Sequence, residues 1–399
     1  MSTPPPSTRP CPCGSGHLFR EGCEDAYRAD VSAWQTLRAL EASVVPKIAS
    51  FVLDRWGPDV IAKGIVDFTW PTRNHSVDVV RRLAPLFDSW FLFSWVPDRH
   101  EDCVTVPIGW PRKAAGEVWL NTVPDVTDPE RAFVLAATED GLLHSPLLIE
   151  SVTPGWMLTV RDLLTGRRFR IVDPEISERA QPDEVLLSAI VKLDGRFFLL
   201  GAASHALPGD CRFELRESRQ GQTGDPWLPR RFWIGYEFEI FSEYCDAYER
   251  RPVTRLAARG EVADPVHLRW QVAAPFVEVL DRLRPLTACY GDEEALDEEN
   301  GPDGEPHMLL GWYEAGDSGD DEDWEEIGYL YLDEGWLAAD LPAPALADRL
   351  VAEVARVAGD VTTLVERRPC VPTQIHDRPS TLLLFEAIAP AGPTPTTLH

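Results

Sequence analysis

The sequence predicts an α+β fold, and three observations carry that expectation. Apolar residues recur at three- and four-residue spacing between Trp34 and Val52, the period of an amphipathic helix. From about residue 147 the pattern changes to short runs of β-formers, separated by Pro154-Gly155, Thr165-Gly166 and Asp194-Gly195. Those dipeptides are turn punctuation between strands. The chain then closes on a strand-strand-helix-strand pattern over 327–366.

Taken in order, residues 1–10 form a Pro/Ser tail, a composition that cannot bury enough apolar surface to fold. The first helix places Trp34, Leu37, Leu40, Val44, Val45, Ile48, Phe51 and Val52 on one face, with a kink or restart expected at Pro46. Helical patterns follow at 58–67 and 76–87, before an apolar run at 90–95. Asp128-Pro129-Glu130-Arg131 opens a further helix to about residue 139, with Asp128 as cap and proline in the first turn. Strands are expected at 147–153, 156–162, 168–172, 185–193 and 196–202. Successive short strands on tight turns make an antiparallel sheet or small barrel. A helix over about 227–250, strands near 253–258 and 266–272, and a helix near 275–285 come next. Stretches 291–306 and 314–326 are rich in Gly, Asp, Glu and Pro and read as loops. Strands at 327–332 and 336–340, a helix at 343–358 and a strand at 361–366 form a β-β-α-β module. The expected division is therefore 1–28 cysteine segment and tail, 29–290 mixed body, 291–326 acidic linker, and 327–399 C-terminal module.

Charge narrows the partners. The 399 residues carry 65 Asp+Glu against 38 Lys+Arg, a net −27. Such a chain repels duplex nucleic acid and anionic membrane surfaces. The charge is not spread evenly. Between Pro285 and Asp348 there are 20 acidic residues and no Lys or Arg, so the rest holds 45 acidic against 38 basic residues. The acidic window reads as a solubilising spacer or a contact for a basic partner. No secretory h-region and no run of 18 apolar residues are present, so the expectation is a cytoplasmic protein off the membrane.

Eight cysteines sharpen the reading. Three fall within Cys11-Pro12-Cys13-Gly14-Ser15-Gly16-His17-Leu18-Phe19-Arg20-Glu21-Gly22-Cys23, and five are scattered singly. In a chain without an export signal that pattern indicates reduced thiols and one metal cluster. A Cys-x-Cys pair presents two thiolates, the glycines let the backbone turn close to the sulfurs, and an ion stabilises a segment too short for a core of its own.

The Cys-Pro-Cys-Gly-Ser-Gly string, an aromatic three residues on and a later cysteine resemble the SEC-C motif, the zinc-binding tail first named from the bacterial secretion ATPase. The resemblance implies zinc held by Cys11, Cys13 and Cys23. The family's third ligand position is Gly22 here, leaving His17, Glu24, Asp25, a distant cysteine or water as the fourth ligand. The body from about 30 to 270, with a looser match around 328–361, also resembles a group of uncharacterised bacterial SEC-C proteins. What this implies is a zinc knuckle on a mixed α/β body, without naming a reaction.

Enzyme signatures are absent from the sequence: there is no Gly-x-Ser-x-Gly elbow, phosphate loop, His-Glu-x-x-His or dinucleotide fingerprint. His75, His100, His144 and His205 are isolated in sequence and converge only by folding; each reads as a surface or satisfied core histidine, with His144 and Ser145 or Ser151 as a hydrolase pair the lesser alternative. The acidic string at 317–326 lacks calcium-loop spacing. The basic strings Arg167-Arg168-Phe169-Arg170 and Arg230-Arg231-Phe232-Trp233 read as cover over apolar edges. The expected function is a zinc-binding adaptor that docks an unidentified protein partner. An enzyme assembled from dispersed residues in the β-rich middle, or a nucleic-acid-associated zinc protein, are the alternatives.

Overall fold

A computed structural model describes Phe19 and residues 23–69, 75–97, 110–138, 142–209, 211, 236–249, 264–286, 296–300, 306–315, 324–333 and 335–376. It is a mixed α and β structure organised around two sheets.

The first helix, α1 (Glu24–Trp56), runs through Pro46 without ending, so the restart expected there does not occur. Tertiary packing overrides the lost hydrogen bond: Val44, Val45, Ile48, Ala49 and Val52 around the proline are all buried. Gly57 (φ 77°) ends the helix in a left-handed conformation that glycine adopts without strain, and α2 (Pro58–Thr69) starts on a proline. Helix α3 (Val77–Phe93) takes in the aromatic run and buries Phe87, Trp90, Phe91 and Phe93. A short α4 (Ala115–Thr122) precedes α5 (Asp128–Thr138). The cap of α5 is Thr127 and not Asp128: the Thr127 N–H donates to Glu130 Oε2 at 3.1 Å, and Thr127 Oγ1 receives the Glu130 N–H at 3.5 Å. This is a Thr-x-x-Glu capping box.

Strands β1 (His144–Thr153), β2 (Met157–Asp162), β3 (Arg168–Val172), β4 (Glu184–Leu193) and β5 (Arg196–Ala202) close into a barrel in the order β1-β2-β3-β5-β4, with β4 returning to β1. Neighbours are antiparallel except β3 and β5, which run parallel, a Greek-key closure that removes exposed edges. Alternation along the strands divides two cores. Leu147, Ile149, Leu158, Val160, Ile171, Leu186 and Leu199 fill the interior. Leu148, Val172, Leu187, Ala189, Phe198 and Leu200 point outward and pack against α1–α5. The helix α6 (Glu237–Glu249) closes that layer through Ile240, Phe241, Tyr244 and Cys245. Strand β6 (His205–Pro208) extends the sheet beside β4.

The second sheet holds β7 (Val266–Val272), β8 (Leu296–Asn300), β9 (Pro306–Ala315), β10 (Trp324–Asp333), β11 (Trp336–Leu341) and β12 (Thr362–Pro369), in the order β12-β7-β11-β10-β9-β8. Helices α7 (Phe276–Leu283) and α8 (Pro344–Ala358) cover it through Val279, Leu283, Leu350 and Val354. Two departures from the sequence reading stand out. Strand β7, placed in the body by that reading, lies between β11 and β12. Strand β8, the two ends of β9 and the start of β10 occupy stretches that read as loops, pairing Leu296 with Leu310 and Trp324 with Ala315. Acidic side chains are poor strand-formers, and β8 is an edge strand, where charge is tolerated and discourages further pairing. A last strand, β13 (Thr373–Gln374), leaves the second sheet and pairs with β6, which places Ile375 in the barrel core. The strand expected at 253–258 lies outside the described residues.

Candidate functional site

Of the three cysteines read as zinc ligands, Cys11 and Cys13 lie outside the described residues, as does His17. Cys23 sits half-buried at the head of α1, its N–H donating to Phe19 O at 3.0 Å and its carbonyl receiving the Tyr27 N–H at 2.8 Å. Phe19, the aromatic of the motif, is 1% exposed and meets Tyr27 and Trp156 edge-on at 5.4 and 6.4 Å. Trp156 lies in the β1–β2 turn, and its indole N–H donates to Asp30 Oδ2 at 3.0 Å. Phe19 and the first turn of α1 are therefore clamped to the barrel by aromatic packing. Glu24 receives Arg28 at 2.5 Å, and Asp25 is exposed. Among the described residues no three His, Cys, Asp or Glu side chains gather as a metal-holding group. Of the distant cysteines, burial pushes the Cys245 thiol up to about 12, with Glu249 and Asp246 adding to it, which disfavours the thiolate a metal needs.

The basic string on β3 is engaged. Glu150 receives Arg168 at 3.0 Å and Arg161 at 2.6 Å, Arg167 covers the Phe169 ring, and Arg170 lies over Trp156. The string at 230–233 is outside the described residues.

Among the described residues, two buried polar constellations are centred on a histidine. The first joins α3, β1 and α6. His144 opens β1 and is fully buried; its Nε2 lies 2.9 Å from Ser89 Oγ on α3, and its Nδ1 lies 3.0 Å from Glu237 Oε1 on α6. Glu237 Oε1 also receives the His144 backbone N–H at 3.1 Å, and Oε2 receives Ser94 Oγ–H at 2.8 Å. A carboxylate that collects donors accepts from Nδ1–H, which leaves Nε2 as the acceptor facing Ser89. Phe241 packs edge-on against the imidazole at 5.9 Å. Ser145, the sequence neighbour of His144, turns instead to Asp162.

Ser89 also lines a cavity of about 320 Å³ between α1, α3 and β5. Trp34, Val45, Phe93 and Leu200 form its apolar wall, with Arg38, Glu41, Asp88 and Glu175 as charged groups. Arg38 donates to Glu41 at 2.5 Å, Asp173 at 3.2 Å and the Leu199 carbonyl at 2.7 Å. Burial opposes its charge, and Glu41 and Asp173 more than offset that, so its pKa is raised. Gly201, at φ 68°, also lines the cavity, and a Cβ there would collide with Ser89 Oγ. Glycine is what keeps that space beside the hydroxyl clear.

The second constellation lies in the seam between barrel and second sheet. His267 on β7 places Nδ1 2.8 Å from Asp340 Oδ1 and Nε2 3.6 Å from Asp183 Oδ2. Arg269 Nε lies 3.2 Å from Asp183, and Cys370 Sγ 3.0 Å from Asp340. Asp183 holds φ 63°, a left-handed conformation that Asp tolerates better than most residues. Beside it Glu184, fully buried, receives Thr373 Oγ1 at 2.5 Å with Arg368 at 3.6 Å. Burial raises Glu184 to about 7, against the pull of Thr373 and Arg368.

No protein-family model, no curated protein and no solved structure matches this chain. Among the described residues no helix is long and apolar enough to cross a membrane.

Proposed function

We propose that the protein is a zinc-binding interaction protein whose cysteine knuckle is a fixed docking element on the barrel. The observation that carries this reading is the burial of Phe19 against Tyr27 and Trp156, with Cys23 beside it at the start of α1. A tethered metal finger needs no such anchor, whereas a surface that must present one face to a partner does. Cys11, Cys13 and Cys23 are the residues that hold the ion. Zinc there supplies the folding energy that a segment this short lacks. The acidic window from 285 to 348 favours a partner with a basic contact face.

Metal analysis of the purified full chain tests the reading first. About one zinc per chain is expected, falling to background in Cys11→Ser/Cys13→Ser while the body remains folded by circular dichroism. Well under one zinc in the wild type defeats it. Affinity capture from the native host then compares wild type with the double variant, and a partner lost only from the variant is the expected outcome.

A further inference from the structure

The geometry points to a second activity, independent of the knuckle: Ser89, His144 and Glu237 form a nucleophile relay for acyl transfer at the α1–α3–β5 cavity. Three features set it apart from an ordinary buried histidine. The order is that of a hydrolytic triad, hydroxyl to imidazole to carboxylate, with both links at hydrogen-bond distance, 2.9 and 3.0 Å. The carboxylate is fixed by two further donors, the His144 N–H and Ser94 Oγ, so it orients the imidazole. Ser89 lines a cavity of about 320 Å³, while Glu237 is buried and Phe241 packs against the imidazole between them. That volume lies at the lower end of small-molecule sites.

The Ser89 hydroxyl has one hydrogen and two acceptors in reach, Leu86 O at 2.9 Å and His144 Nε2 at 2.9 Å. Rotation toward the imidazole is the activating arrangement. Ser89 Oγ then attacks a carbonyl carbon as its proton passes to His144 Nε2. The bond to the leaving alcohol breaks, and that alcohol takes the proton back from His144. Water reverses the sequence, giving its proton to His144 and its oxygen to the acyl group, and Ser89 is released as the hydroxyl. Glu237 stays ionised throughout. The charged lining is Glu41, Asp88 and Glu175 against Arg38, and Arg38 is already bound by Glu41 and Asp173. This wall selects small uncharged or cationic esters over anionic ones.

The test treats the full-length protein with an uncharged fluorophosphonate, which forms a Ser Oγ–P bond with loss of fluoride. Intact-mass and peptide analysis should show one adduct, on Ser89. Ser89→Ala should lose the adduct and drop p-nitrophenyl acetate hydrolysis to background. Glu237→Gln, which keeps the shape and removes the charge, should slow labelling by roughly 100- to 10,000-fold, with near-UV circular dichroism checking that each variant is folded. No Ser89 adduct on folded wild type, or equal labelling rates in wild type and folded Glu237→Gln, overturns the proposal. Neither outcome touches the zinc reading, which is scored on metal content alone.

Discussion

The two buried histidines make the most instructive contrast in the molecule. Both present Nδ1 to a carboxylate, Glu237 for His144 and Asp340 for His267. They differ at Nε2. There His144 meets a serine hydroxyl next to a cavity, whereas His267 meets a second carboxylate, Asp183, with Arg269 and Arg368 close by. A histidine between a hydroxyl and one carboxylate can pass a proton along a line. A histidine between two carboxylates is a charge held in place. Burial lowers the pKa of His267, and Asp340 and Asp183 more than reverse this, raising it to about 9 against the smaller opposing effect of Arg368. The contrast separates a relay inside one layer from a lock between two sheets.

Removing one member of the lock should have the largest effect. Asp340→Asn leaves His267 buried without its nearer carboxylate, and losing one partner of a buried pair costs about 3–5 kcal/mol. The same exchange at the relay, Glu237→Gln, keeps acceptor capacity for its donors and should cost about 1–3 kcal/mol. Denaturant unfolding of both variants measures the pair. Equal losses would remove the distinction between lock and relay.

The second prediction uses pH. A histidine raised from 6.5 to about 9 contributes stability that is complete below pH 6.5 and is lost as pH rises through 9. At 1.36 kcal/mol per unit this comes to about 3 kcal/mol. Glu184 has the same sign at lower pH, because its folded carboxyl keeps a proton between 4.5 and about 7 that the unfolded chain releases. Stability of the seam should therefore fall steadily from about pH 4.5 to 9. Glu184→Gln should flatten the lower part of that slope, and His267→Gln the upper part. A stability profile that rises over this range contradicts the assignment.

How much of this the sequence revealed depends on the range of the interactions. The barrel strands were legible because Leu147, Ile149, Leu158 and Val160 alternate with outward residues between Gly-containing turns. The second sheet was legible only in part. Strands β10 to β12 and helix α8 follow their patterns, whereas β8, with Asp297, Glu298 and Glu299, carries charge where strand propensity is lowest. Strand β7 has an ordinary strand pattern, but its partners β11 and β12 lie tens of residues away, so nothing local assigns it to the second sheet. The same limit hid the relay. Ser89 and His144 are 55 residues apart, and His144 and Glu237 are 93 apart, so no local spacing joins them. The nearest serine in sequence, Ser145, faces the opposite side of the strand, as period-two alternation requires.

The smallest expected effect sharpens the relay side of the contrast. Gly201→Ala places a Cβ against Ser89 Oγ and asks a non-glycine residue to hold φ 68°. Overpacking of this kind costs about 1–3 kcal/mol, comparable to the charge loss in Glu237→Gln and smaller than the loss at the lock. The informative quantity is what the lost stability accompanies. If the glycine serves to keep the space beside the hydroxyl clear, Ser89→Ala in the same chain should restore most of the stability by removing the colliding oxygen. That rescue locates the strain on the Oγ itself and identifies Gly201 as the residue that keeps the space beside the hydroxyl open. A Gly201→Ala chain that is no more stable after Ser89→Ala places the strain in the backbone of β5 instead, and the glycine then answers to strand geometry and not to the relay.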